Sequence, residues 1–317
     1  MARIALVLGA GGVAGGAFHA GVLSALAEAT GWDPRTAEVV VGTSAGSVAG
    51  TTLRAGLSAA DLYARAVGGS MSVAGQRLMA RVGPPMSPPP LREARSRVPT
   101  PGDVADVLRR AARRPFAARP GALLAALAPE GSIGTEFISS TVANIVGDGW
   151  PAASLWICAV RRDDGRLAVF GRDERPPLGD AVAASCAIPG FFRPVEIEGV
   201  AYIDGGVHSP TNADLVATLS PDLVVVSSPM SYAGNALRAV APTRRWSRLL
   251  LDGEALSLRR RRIPVVAFQP TADDMAVMGL NAMDPSRRAD IAARVRESTS
   301  RRLARADTQD RLRPLSS

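Results

Sequence analysis

Ser44 is the centre of Gly42-Thr43-Ser44-Ala45-Gly46, a Gly-x-Ser-x-Gly run that follows Val39-Val40-Val41 directly. A serine hydroxyl is a weak nucleophile unless it is held exposed, in fixed geometry, beside a base. A sharp turn between a strand and a helix does this, and the pattern here is that of a nucleophile elbow. Gly42 and Gly46 leave room where a Cβ would clash with neighbouring backbone. The chemistry such a serine performs is acyl transfer through a covalent intermediate. That chemistry also needs donors for the oxyanion. The run Gly9-Ala10-Gly11-Gly12-Val13-Ala14-Gly15-Gly16 offers backbone N–H groups at the start of a helix, which favour an anion. The blander alternatives are a serine that merely caps its helix and a glycine run that merely lets a helix cross a strand closely.

The other reactive groups are few. The chain has two histidines, His19 and His208, and two cysteines, Cys158 and Cys186. A Ser…Asp…His order can be written as Ser44, Asp204, His208. His208, however, lies four residues past Asp204 and beyond two glycines, so one loop would have to fold back on itself. His19 falls on the first helix and reads as a polar helix residue near the turn. A two-residue site is favoured over a triad. Acidic residues are dispersed and His and Cys are scarce, so no metal site and no cofactor is expected. The glycine run also misses the dinucleotide spacing, because Ala14 stands where the third glycine is required, and no Gly-Lys-Ser/Thr follows.

The elements that must position these residues alternate along the chain. Ile4 to Leu8 reads as a buried parallel strand, and the helix after it carries Phe18, Val22, Leu23 and Leu26 on one face and stops at Gly31. After the elbow helix, Ser58 can cap a helix to about residue 67. Asp163-Asp164-Gly165 joins the strand candidates 155–160 and 167–170 as a hairpin. A small-residue helix over 181–187 and short strands at 195–197 and 202–203 precede Asp204-Gly205-Gly206. Strand candidates at 223–226 and 265–268 follow, and Asp284-Pro285 opens a long helix to about 306. Strands alternating with helices imply the α/β class with a mainly parallel sheet. Residues 69–131 are rich in proline and arginine and read as a lid-like insertion. They hold Pro88-Pro89-Pro90, Arg109-Arg110 and Arg113-Arg114, with Met71, Leu78, Met79 and Met86 as an adaptable apolar surface. Residues 307–317 read as a frayed tail, leaving 1–306 as one domain.

Taken in order, the glycine turn after the first strand, Gly42-Thr43-Ser44-Ala45-Gly46 and Asp204-Gly205-Gly206 resemble the patatin-like phospholipase family. The segments Ala184-Ser185-Cys186-Ala187-Ile188-Pro189-Gly190-Phe191-Phe192 and Pro210-Thr211-Asn212-Ala213 also look like that family. The resemblance covers most of residues 4–215. It implies a three-layer α/β/α fold and a Ser/Asp dyad that hydrolyses lipid acyl esters. Ser44 would be the nucleophile, Asp204 the base, and the N–H groups of Gly11, Gly12 and Val13 the oxyanion hole. Two departures stand out. Ala10 replaces the first glycine of the family's loop, and Ala14 replaces its basic residue, which bears on substrate preference more than on a hole built from backbone. Gly206 stands where alanine is also common. The same site would serve a small-acyl esterase or thioesterase. A non-catalytic lipid-binding protein or a nucleotide-binding module are the readings from other classes.

Composition bounds the partners. The 317 residues are 47% hydrophobic and carry a net charge of +8, with no lysine, so every basic side chain is arginine. Two cysteines suit a reducing compartment such as the cytoplasm. Nucleic-acid signatures are lacking, and aromatic residues are only 4% of the chain. The expected partners are therefore an acyl-ester or lipid substrate and, through Arg109 to Arg114 and Arg259 to Arg262, the anionic inner face of a membrane touched peripherally. No apolar run reaches transmembrane length. The oligomeric state is not readable.

Overall fold

A computed structural model describes residues 2–82, 128–147, 149–234 and 241–316, together with Arg109, Gly121 and Ala125. Most of the expected insertion, including its prolines from 84 to 120, Met86 and the arginines from 110 to 114, lies outside the described residues.

The middle of the molecule is a sheet because five short runs are apolar on every residue or nearly so. These are β1 (Ile4–Leu8), β2 (Val39–Thr43), β3 (Ser154–Arg161), β7 (Leu223–Ser227) and β8 (Val265–Phe268). Strands covered on both faces show this continuous pattern. They lie parallel in the order β3-β2-β1-β7-β8. Three further strands join β3 and make the sheet mixed. β4 (Leu167–Phe170) pairs with β3 antiparallel through the Asp-Asp-Gly turn, and β6 (Val200–Asp204) pairs antiparallel with both β3 and β5 (Val195–Ile197). The turn between β5 and β6 holds Glu198 and Gly199, both at positive φ, as a tight hairpin requires.

Alternate residues of the strands face two helical layers. Leu6, Leu8, Val40 and Val225 enter a core with α1 (Gly12–Thr30), α2 (Ala45–Arg54), α6 (Leu178–Ser185) and α9 (Arg288–Leu303). Ala5, Val7, Val41, Val224 and Val226 face α7 (Pro242–Arg260), which contributes Leu251, Ala255 and Leu258. The result is the expected three-layer α/β/α arrangement. Between these come α3 (Ala59–Val67), α4 (Val73–Met79), α5 (Glu136–Val146) and α8 (Ala272–Met278). Ser58 caps α3 as the sequence suggests, accepting from the Asp61 N–H at 3.0 Å.

Three expectations need correction. The long helix from Asp284 is divided: Pro285–Arg287 form a 3-10 turn before α9. The chain end is not frayed, because α10 (Ala306–Leu312) and a 3-10 turn after it bury Leu312 and Leu315 in the α1 side of the core. The small-residue helix begins at Leu178, three residues earlier than the sequence pattern indicates, because Leu178, Ala181 and Val182 pack on the core.

Candidate active site

β3 brings Ser44 and Asp204 together by register alone. Thr43, the last residue of β2, lies opposite Cys158, and Asp204, the last residue of β6, lies opposite Ala159. β4 takes the other edge of β3 over 157–160, so β2 and β6 share one edge and meet end to end. The residue after Thr43 therefore faces the residue that ends β6.

Ser44 has φ 53° and ψ −119°, in a region where a residue with a Cβ is strained. Such strain costs about 1–3 kcal/mol and persists only where neighbours enforce it. Here the Ser44 N–H donates to Ser185 Oγ at 2.9 Å, and Ser185 Oγ donates in turn to the Cys158 carbonyl at 2.7 Å. Ser47 Oγ donates to the Ser44 carbonyl at 2.7 Å. The flanking glycines are obligatory. A Cβ on Gly46 would stand 1.8 Å from the Leu8 carbonyl oxygen, and one on Gly42 would stand 2.5 Å from the Ser47 Cα. The elbow is thus wedged against β1.

Asp204 is buried, and its Oδ1 accepts the Gly206 N–H at 2.7 Å. Burial pushes its pKa from the ordinary 3.8 up to about 6, with the Ser44 hydroxyl and the Gly206 N–H pulling the other way. A carboxylate with that pKa is ionised at neutral pH but accepts a proton more readily than an ordinary aspartate. Gly205 is fixed by close approach, since a Cβ there would lie 2.2 Å from the Cys158 carbonyl oxygen.

The glycine turn closes the third side. Gly11 precedes α1, and Gly12 and Val13 open it, so no intrahelical carbonyl can take their N–H groups. The next N–H, of Ala14, donates to the Ala282 carbonyl at 2.9 Å. A Cβ on Gly15 would lie 3.4 Å from the Ala45 Cβ, and one on Gly206 would lie 3.1 Å from the Ala10 Cβ. The turn therefore approaches both the elbow, through Gly15 and Ala45, and the aspartate segment, through Ala10 and Gly206. Among the described residues no group of three or more His, Cys, Asp or Glu could hold a metal ion.

Neither histidine is among the groups that move the Asp204 carboxyl. His19 is fully buried, with Nε2 donating to the Gly9 carbonyl at 2.8 Å and Nδ1 accepting from Ser227 Oγ at 2.7 Å. It ties the glycine turn to β7, and burial lowers its pKa to about 4, so it stays neutral. Both cysteines are buried, and burial pushes each thiol up to about 12.

Three residues that hold the site carry no role in the sequence reading. Ser185 and Asn212 sit in segments that resemble the family but are not themselves reactive. Glu254 lies on α7, which the sequence reading passes over. The signal for it was present: Leu251, Ala255 and Leu258 make an apolar helical stripe, and an acidic residue stands in the middle of it.

The family described as Patatin-like phospholipase matches residues 6–217, more than half of the chain. No curated protein matches the chain in sequence. Among solved structures, the chain is similar to VipD from Legionella pneumophila, at 12% identity and a TM-score of 0.42 over 95% of this chain and 66% of that one. It is also similar to the type III effector protein ExoU, at 18% identity and a TM-score of 0.36 over 98% of this chain and 53% of that one. The chain spans about two thirds and about half of those two proteins. With the family match spanning the glycine turn, the elbow and the Asp204 segment, the chain belongs to the patatin-like phospholipase family.

Proposed function

We propose that this chain is a serine acyl hydrolase that cleaves lipid acyl esters through Ser44 and Asp204. The observation that carries the reading is the strained Ser44 at the end of β2, facing a buried carboxyl whose pKa is raised to about 6. The family to which the chain belongs is one of lipid acyl hydrolases.

On this reading, Asp204 takes the Ser44 proton as Oγ attacks the acyl carbonyl carbon. The carbonyl electrons move onto oxygen, where the N–H groups of Gly11, Gly12 and Val13 receive the charge. One such donor is worth about 2.7–4 kcal/mol in the transition state elsewhere. The ester C–O bond then breaks, the leaving alcohol takes the proton from Asp204, and Ser44 is acylated. Water gives its proton to Asp204 and attacks the acyl-enzyme. The carboxylic acid leaves as Oγ regains its proton. One base serves both halves, as in other covalent hydrolyses.

Contact with an anionic lipid surface has its own support. Trp246, Leu249 and Leu256 are exposed on the outer side of α7, which ends in the arginine run 259–262. Among the described residues no helix is long and apolar enough to cross a membrane.

The test is a panel of phospholipids and p-nitrophenyl esters, run with wild type and Ser44→Ala, beside fluorophosphonate labelling. Hydrolysis of long-chain lipid esters, lost in Ser44→Ala, supports the reading. Turnover of short acyl esters alone would make the chain a small esterase. Lipid binding with no turnover and no labelling would make it a binder.

A further inference from the structure

Glu254 is 3% exposed, yet it is a carboxylate in an apolar helical stripe. Burying such a group costs free energy unless every lone pair finds a donor, and an apolar residue of the same volume is often at least as stable there. Three donors are present, and these three come from one loop. Oε1 accepts from Ser209 Oγ at 2.5 Å, and Oε2 accepts from Thr211 Oγ1 at 2.6 Å and from the Ala213 N–H at 2.9 Å.

That loop touches all three segments of the site. It begins just past Asp204-Gly205-Gly206, with the Ser209 N–H donating to the Gly205 carbonyl at 3.3 Å. Its Pro210 carbonyl accepts the Ala10 N–H of the glycine turn at 2.8 Å. Its Asn212, at φ 52°, donates from Nδ2 to Thr43 Oγ1 at 3.1 Å, one residue before the nucleophile. Ser209 Oγ also accepts the N–H groups of Thr211 and Asn212 at 3.3 and 3.2 Å, which tightens the loop on itself.

We propose that Glu254 is a positioning residue for catalysis: by gathering Ser209, Thr211 and Ala213 it fixes the loop that sets the glycine turn, the elbow and the Asp204 segment relative to one another. The proposal rests on the reading of Ser44 and Asp204 as the reacting pair. Glu254 lies beyond the stretch of the chain that the family matches. A carboxylate is the group suited to the place because it only accepts, and three donors converge on it. Glutamine keeps the size but turns one acceptor into a donor.

The experiment counts reactive sites before measuring rate. A fluorophosphonate probe titrates Ser44 in wild type, Glu254→Gln and Thr211→Val, and turnover of a p-nitrophenyl ester is divided by the titrated sites. The expected result for Glu254→Gln is a kcat per reactive site lower by about 10- to 100-fold, with KM little changed, as for a small misplacement of reacting groups. Thr211→Val, which removes one of the three donors, falls between it and wild type. Normal kcat per titrated site in Glu254→Gln, with only fewer sites or a lower melting temperature, overturns the proposal. Should Glu254→Gln fail to fold, normal kcat per site in Thr211→Val overturns it instead. Failure of the probe to label wild-type Ser44 would count against the underlying reading and not against Glu254 in particular.

Discussion

Asp204→Asn is expected to abolish ester hydrolysis and yet to stabilise the fold above about pH 6. The Asp204 carboxyl holds its proton more tightly in the folded chain than in the unfolded one, with a pKa of about 6 against 3.8. Folding therefore works against ionisation. The stability present below pH 3.8 is lost as pH rises to about 6, and it stays lost at higher pH. A shift of about two units corresponds to about 3 kcal/mol. Asparagine keeps the size, can still accept the Gly206 N–H through its Oδ1, and carries no charge to bury. His19 complicates the wild-type profile, because its lowered pKa of about 4 gives the opposite slope below 6.5. That slope is common to both proteins, so the difference between variant and wild type isolates Asp204. The assay is urea unfolding of both at about pH 4 and about pH 8, with the denaturant slope checked for constancy. The expected difference is close to zero in acid and up to about 3 kcal/mol in favour of Asp204→Asn at the higher pH. A variant less stable than wild type at high pH, or a difference that does not depend on pH, would show that the Asp204 carboxyl is not held above its ordinary pKa in the folded chain.

Ser185→Ala leaves the Ser44 N–H and the Cys158 carbonyl without their partner in the interior; a loss of about 1–3 kcal/mol in unfolding free energy is expected, with a drop in kcat measured on the same sample. His208→Gln is expected to retain much of the wild-type kcat, and activity as low as that of Ser44→Ala would replace the dyad by a triad. His19→Gln is expected to lower the melting temperature, because it disturbs the bridge between the Gly9 carbonyl and Ser227, while the surviving folded enzyme still turns over. Replacing Arg259, Arg260, Arg261 and Arg262 by glutamine is expected to weaken binding to anionic vesicles at low salt, by about 1 kcal/mol for each charge that meets the surface. Equal binding of wild type to neutral and anionic vesicles would leave those arginines as a solvated surface.

The parts of this fold that were legible in the sequence are those where one residue type admits one backbone. The elbow shows because Gly42 and Gly46 have backbone within van der Waals contact where a Cβ would stand. The parallel strands show because they are apolar on both faces, and the β3–β4 hairpin shows through Asp163-Asp164-Gly165. What did not show was whatever depends on partners distant in the chain. α7 mixes arginines and leucines, and its inner stripe of Leu251, Ala255 and Leu258 meets the sheet. Leu312 and Leu315 look like an ordinary polar tail until the first core is there to receive them. The meeting of Ser44 with Asp204 needed the register of β3, which no local pattern encodes. The clamp of Glu254 on Ser209, Thr211 and Ala213 spans more than forty residues and consists of ordinary hydroxyls and one N–H.

The most direct test of the Ser44/Asp204 dyad is the site of covalent attachment. Purified wild type, Ser44→Ala and Asp204→Asn are treated with a fluorophosphonate, digested and sequenced by mass spectrometry. One adduct is expected, on Ser44, formed quickly in wild type, slowly in Asp204→Asn and never in Ser44→Ala. An adduct on another residue, or labelling of Asp204→Asn as fast as wild type, would contradict the dyad.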